Sequence, residues 1–180
     1  LAVSRGWQRL QAMMLAEQVK VRLQRGNVTG AEQLQRQLEQ MAASFRMDAE
    51  HPCQRAIVLY ASLSHCRLLL ATGRAPQACI LLAEMVSDQE NRGDRLTAAR
   101  LRTLWSLALW SSGKTAAART TFQPVVQLAE HQHLKGLFLD AGDTLQPLLI
   151  GMNDSSLACT EEGIVHEPWA GKRAPADGTP

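Results

Sequence analysis

At 180 residues the chain is long enough for one domain with a substantial core. Apolar residues make up 46% of it but include only three Phe and one Tyr, so Leu, Ala, Val and Met must fill the interior, a mixture that suits helices better than sheet. The net charge of +2 is spread unevenly, with 17 basic and 12 acidic side chains in residues 1–153 against two and five in residues 154–180, and neither part carries the concentrated basic face that would point to nucleic-acid binding.

Residues 7–25 place Ala12, Leu15, Ala16, Val19 and Leu23 on one face at helical spacing, and Gly26 ends that helix. Thr29 is the predicted N-cap of the next, with Glu32 three residues on in capping-box spacing. The predicted buried stripe of this second helix is Ala31, Leu34, Leu38, Met41, Ala42 and Phe45. Residues 46–52 are polar, close with a proline and read as a connection between two repeats.

From about Pro52 to Thr72 the spacing predicts a third helix, with Ala56, Leu59, Tyr60, Leu63 and Leu70 aligned and Pro52 tolerated in its first turn. After Gly73 its partner aligns Ala78, Leu81, Leu82 and Met85, and residues 89–94 read as a second inter-repeat loop. The third pair opens with Leu101, Leu104, Trp105, Ala108 and Leu109 on one face and turns at Gly113. Its second helix carries Ala118, Phe122, Val125, Val126 and Ala129. Pro124 lies inside it, and because the apolar spacing continues past the proline a bend is expected there, not an end.

A Gly-x4-Ala unit recurs in these pairs, at Gly26 to Ala31, Gly73 to Ala78 and Gly113 to Ala118. A tight turn between antiparallel helices needs a residue that accepts positive φ, which glycine does without steric cost. Five residues later the second helix crosses the first closely, and alanine is small enough to allow it. The glycines fall 47 and 40 residues apart, longer than the roughly 34 of tetratricopeptide repeats and closer to other helical solenoids. A hairpin that is apolar on more than one side must stack on its neighbours. The expectation is an all-α superhelical array, an α-solenoid, of about three tetratricopeptide-like hairpins over residues 1–150 with a capping helical segment, followed by a linker or disordered tail over 151–180 that is rich in glycine, proline and acidic residues.

Cys53, Cys66, Cys79 and Cys159 form no C-x-x-C pair and no short metal-ligand spacing, so reduced, mostly buried thiols in a cytoplasmic protein are expected. There is neither a membrane-spanning apolar run nor a signal peptide, and a chain that starts at Leu1 reads as a piece of something longer. His131 and His133 are expected to be solvated residues at a helix end, where positive charge suits the dipole, ahead of a metal pair. Cys66 beside His65 reads as a small core residue, because adjacent helical side chains do not face each other. No acid-base role is expected of Glu161 and Glu162 in the tail, and neither a catalytic residue nor a cofactor is assigned.

First helices of such arrays line the inner groove, so Arg67, Arg102, Trp105 and Trp110 are the candidate ligand contacts, with Arg95 and Arg100 able to join them in pairing with anionic groups. Trp105 and Trp110 are five residues apart and point in different directions, one expected in the core and one near the groove.

The hairpins look like tetratricopeptide-type repeats, and the segment after them, HLKGLFLDAGDTLQPLL at residues 133–149, resembles the end of the helical-repeat domain of large ATP-binding LuxR-type (MalT-like) transcriptional regulators. In that family the last helix pair is followed by a Leu-Phe-Leu-Asp-x-Gly turn and a Leu-Leu helix, matched here by Leu137, Phe138, Leu139, Asp140, Gly142, Leu148 and Leu149. The resemblance covers residues 7–150. It implies a non-enzymatic domain that senses a small-molecule inducer or a protein partner and couples it to an N-terminal ATPase and a C-terminal DNA-binding helix-turn-helix. Neither a Walker-type Gly-x4-Gly-Lys-Ser/Thr motif nor a helix-turn-helix pattern occurs in this sequence, so ATP and DNA are expected only on other modules, with self-association possible. The alternative is a free-standing repeat scaffold that binds a peptide or protein.

Overall fold

The computed structural model describes residues 2–45, 51–132, 145 and 148–150, with side chains from Trp7 onward except that of Gln132. Six helices follow one another: α1 (Ala2–Gln24), α2 (Val28–Ala43), α3 (Pro52–Ala71), α4 (Ala75–Asn91), α5 (Arg95–Ser111) and α6 (Thr115–Gln132). No strand occurs among the described residues, and the fold is an all-α array of stacked helix hairpins. Each helix packs on the next, and the odd-numbered helices also touch in a row, α1 on α3 and α3 on α5.

One turn is used four times. Gly26, Gly73, Gly93 and Gly113 adopt φ of 73°, 75°, 75° and 76°. In each case the glycine N–H donates to the carbonyl three residues back and the next N–H to the carbonyl five residues back, as in Arg74 to Leu69 at 2.8 Å and Asp94 to Gln89 at 3.0 Å. This pairing satisfies the orphan carbonyls of the ending helix while the chain reverses. Five residues after each glycine stands a buried alanine: Ala31, Ala78, Ala98 and Ala118.

The copy from Gly93 to Ala98 corrects the sequence reading. Residues 89–94 are not a loop between repeats: α4 runs to Asn91 and the same turn leads directly into α5. Helices α4, α5 and α6 start at residues 75, 95 and 115, so the spacing there is 20 residues per helix, and the unit belongs to the α4–α5 connection as well as to the turns within the three hairpins.

Asn27, not Thr29, caps α2, its Oδ1 accepting the Gly30 N–H at 2.9 Å; the helix begins at Val28, which leaves Thr29 inside the first turn. Asp94 does the same for α5 through the Thr97 N–H at 3.0 Å. Pro52 opens α3, and α6 continues through Pro124 to Gln132.

The predicted stripes of α1, α2 and α6 match the buried residues closely, but that of α3 does not. Its fully buried residues are Ile57, Ala61, Ser64, Cys66, Leu68 and Leu69, while Ala56, Leu59, Tyr60, Leu63 and Leu70 are only partly covered. The helix packs on α1, α2, α4 and α5, so it has no single inward face. On α4, Leu81 is 36% exposed, and Ala75 and Val86 complete the core face with Ala78 and Leu82. Gln35 is buried unexpectedly; its Nε2 donates to the Ala61 carbonyl and to Glu39 Oε1, both at 3.0 Å, fixing α2 against α3.

The last cluster joins Phe122, Val125 and Ala118 of α6 and Leu109 of α5 to Leu145 and Leu148, which are fully buried and cover that end of the array. Phe138, Asp140 and Gly142, together with the tail 151–180, lie outside the described residues.

A methyl group added at Gly93 would meet nothing within 4 Å, so Gly93→Ala should lose only the backbone term for an L-residue at positive φ, about 1 kcal/mol. Ala98→Leu, overfilling the helix crossing, should cost about 1–3 kcal/mol. Urea unfolding followed by circular dichroism measures both, and a neutral Gly93→Ala would mean that the Gly93 turn is an ordinary loop.

Candidate binding cleft

Helices α3 and α4 run antiparallel from the Gly73 turn, and between the first half of α3 and the second half of α4 a cleft of about 460 Å³ opens. Pro52, Arg55, Ala56, Leu59 and Ser62 line it from α3, and Glu84, Met85, Asp88 and Arg92 from α4, with Asp94 at the mouth. A second hollow of about 480 Å³ shares Ser62, Glu84 and Met85 with the first and extends toward α2 through Glu39, His65 and Leu81. The two hollows adjoin at these shared residues, and together their linings draw on three helices.

Helical spacing places each wall. Residues 52, 55, 56, 59 and 62 recur at intervals of three and four on one side of α3, as do 81, 84, 85, 88 and 92 on α4. The floor is aliphatic, from Ala56, Leu59, Leu81 and Met85, and charge sits on the rim. These four residues carry the same apolar signal as a core stripe, which is why their spacing alone predicts them in the interior.

The charged lining includes Arg55 and Asp94 of the first hollow and three further features. Arg92 Nε donates to both oxygens of Asp88, at 2.9 and 2.8 Å, and this bonded carboxylate holds the guanidinium pKa above its usual value. The pair is exposed and adds little to stability. His65 Nδ1 lies 3.2 Å from Glu39 Oε1, within ion-pair range when the imidazole is protonated, although the approach lacks hydrogen-bond geometry and Nδ1 is shielded from solvent. Glu84, shared by the two hollows, is exposed and makes no hydrogen bond or ion pair with another described residue. It is the carboxylate positioned to meet a cationic or hydrogen-bond-donating group of a ligand.

None of the ligand contacts expected from the sequence lines this groove. Arg102 is engaged by Glu90, its Nε donating to Oε1 at 2.8 Å, and so ties α5 to the end of α4. Trp105 packs partly buried between two core clusters and Trp110, also partly buried, against the terminal one. Arg67 is partly buried on α3, and Arg95 and Arg100 are exposed on α5. His131 is exposed near the end of α6, and His133 lies outside the described residues.

Among the described residues no group of three or more His, Cys, Asp or Glu side chains is arranged to hold a metal ion, and no helix is long and apolar enough to cross a membrane. Cys53, Cys66 and Cys79 are free thiols. Cys66 is fully buried, and burial pushes its thiol up to about 12 against a smaller opposing pull from Arg67.

Two consequences of the Cys66 burial can be measured. The folded chain should resist maleimide at Cys66 near pH 8 and react only after unfolding, because the thiolate is the nucleophile. An unfolded thiol ionises near 9.0 and this one near 12, so between those values the unfolded chain releases a proton that the folded chain keeps. Stability therefore falls as pH rises from about 9 toward 12, with no contribution below that window. Urea unfolding of the chain and of Cys66→Ala across that range should show a shallower decline in the variant; parallel declines would contradict the assignment.

Compared with known proteins, the chain matches no family model, and neither a curated protein nor a solved structure matches it.

Proposed function

We propose that this chain is a non-enzymatic effector-sensing and coupling domain of a LuxR-type (MalT-like) transcriptional regulator, with the effector held in the groove between α3 and α4. The observation that carries the reading is the groove itself. It has an aliphatic floor and, on the rim shared by its two hollows, an unpaired carboxylate, Glu84, and it is formed by two helices that meet only through the Gly73 turn and a partial interface. The family side of the reading rests on the resemblance of residues 133–149 and on the tandem helix pairs before them.

A ligand that bridges α3 and α4 fixes the angle between them. Because α4 packs directly on α5, and α5 on α6, a change in that angle is passed along the stack to the far end. ATP hydrolysis and DNA binding are roles that the resemblance gives to other modules. The domain described here supplies recognition and transmission in a cytoplasmic setting.

A second reading, a scaffold that binds a peptide or protein partner, is favoured by the shape of the groove. It is open along one side, and Leu81 of its lining is itself exposed, as is the adjacent Ile80 of α4. A helical or extended segment with a basic residue near aliphatic ones would complement Glu84 and the floor.

Thermal-shift screening against sugars, aromatic catabolites and short basic-aliphatic peptides separates the two readings, since specific binding stabilises by about 2.7 kcal/mol at a hundred times Kd. For whichever class responds, Glu84→Lys is expected to weaken binding at least tenfold, about 1.4 kcal/mol, while Arg100→Ala on exposed α5 leaves it unchanged. A ligand whose response is indifferent to Glu84→Lys would displace the site from this groove.

A further inference from the structure

The opposite face of α1 from its core carries Leu10, Met14 and Val21 at 44%, 52% and 39% exposure, with Trp7 at 67% on the same side. Counting back from the turn glycine gives these positions a meaning. Leu10, Met14 and Val21 stand 16, 12 and 5 residues before Gly26. At the same distances before Gly73 stand Ile57, Ala61 and Leu68 of α3, and at the last two before Gly113 stand Leu101 and Ala108 of α5. All five of these counterparts are at most 5% exposed.

What buries them is the preceding hairpin. Ile57 and Ala61 pack with Ala12 and Ala16 of α1 and Leu38 and Ala42 of α2, and Leu68 packs with Val19 and Ala31. Leu101 and Ala108 pack in the same way on Cys66 and Leu69 of α3 and Leu82 of α4. The face at 16, 12 and 5 residues before each turn is thus the stacking face of the repeat, and on α1 it is apolar and uncovered. A terminal repeat that ends an array carries a polar outer face, and α1 does not.

We propose that the outer face of α1 is a stacking interface whose occupant is another antiparallel helix hairpin of this same repeat type, set against Leu10, Met14 and Val21 as α1 and α2 are set against α3. The interface continues the two already present in the molecule. A head-to-tail copy of this chain does not fit, because the surface it would offer, the far end of α5 and α6, is covered by Leu145 and Leu148. This proposal is independent of the groove and of its ligand.

The repeat register supplies its own test. Asp94 and Trp7 stand at equal distances from Gly113 and Gly26, so a second copy of residues 52–94 joined directly to Gln8 places the added α3–α4 hairpin ahead of α1 as the natural one lies ahead of α5. The probe is Met14→Cys, labelled with a maleimide in the full chain with and without the extension and read by peptide mass spectrometry, with Ile80→Cys as an exposed reference. Labelling of Met14→Cys should slow at least tenfold in the extended chain, Ile80→Cys should not change, and the melting temperature should rise. Leu10→Asp in the extended chain should restore the labelling. An added hairpin that stays unfolded by circular dichroism, or one that folds while Met14→Cys still labels at the unextended rate, overturns the proposal. So does an unextended chain that sediments as a dimer with Met14→Cys already protected, which would make a second copy the occupant.

Discussion

The structure depends on how closely one helix can approach the next immediately after a reversal of the chain. A glycine at positive φ closes the ending helix with two backbone hydrogen bonds, and five residues later an alanine lets the following helix cross without a side chain in the way. Because the connection is short and its geometry is repeated, each helix has little choice of direction, and the apolar surface left on both sides can be buried only by further stacking. The aliphatic and alanine-rich composition follows from this, since close helix crossings leave little room for large aromatic rings. The three described phenylalanine and tyrosine positions, Phe45, Tyr60 and Phe122, sit against core clusters, and only Phe122 is wholly enclosed.

Much of the fold was legible because two local signals agree. Helical spacing of Ala12, Ala16 and Val19, and of Ala118, Phe122, Val125 and Ala129, gave the buried faces of helices with neighbours on one side, and the glycines gave the turns. The spacing failed on α3, where packing on four helices leaves no single inward face, and on residues 89–94, whose charge density resembles a loop although Gly93 and Ala98 carry the turn signal in full. Reading Gly-x4-Ala as the mark of a hairpin alone, when it also marks the α4–α5 connection, hid the fourth copy.

The candidate site was less legible, for a physical reason. Ala56, Leu59, Leu81 and Met85 have the spacing of a core stripe, and nothing in a single sequence distinguishes a stripe that meets a neighbour from one that faces a gap. Arg102, conversely, looked available to a ligand until Glu90, twelve residues away, was seen to occupy it. The tryptophans suit both stacking on ligands and filling irregular core space, and both pack, partly buried, against core clusters. The α3–α4 groove that the structure does show, with its aliphatic lining and Glu84, is built on two helices that are packed in turn on α5.

The claim on which the account rests is that the Gly93 connection is the same closed turn as the others. Amide hydrogen exchange measured by NMR tests it directly, because the N–H groups of Arg74, Asp94 and Lys114 each donate to a carbonyl five residues back. The account predicts that Asp94 exchanges as slowly as Arg74 and Lys114, with protection that disappears only when the flanking helices open. Exchange of Asp94 at the rate of an unstructured amide, while Arg74 and Lys114 stay protected, would contradict it and return residues 89–94 to the status of a loop between repeats.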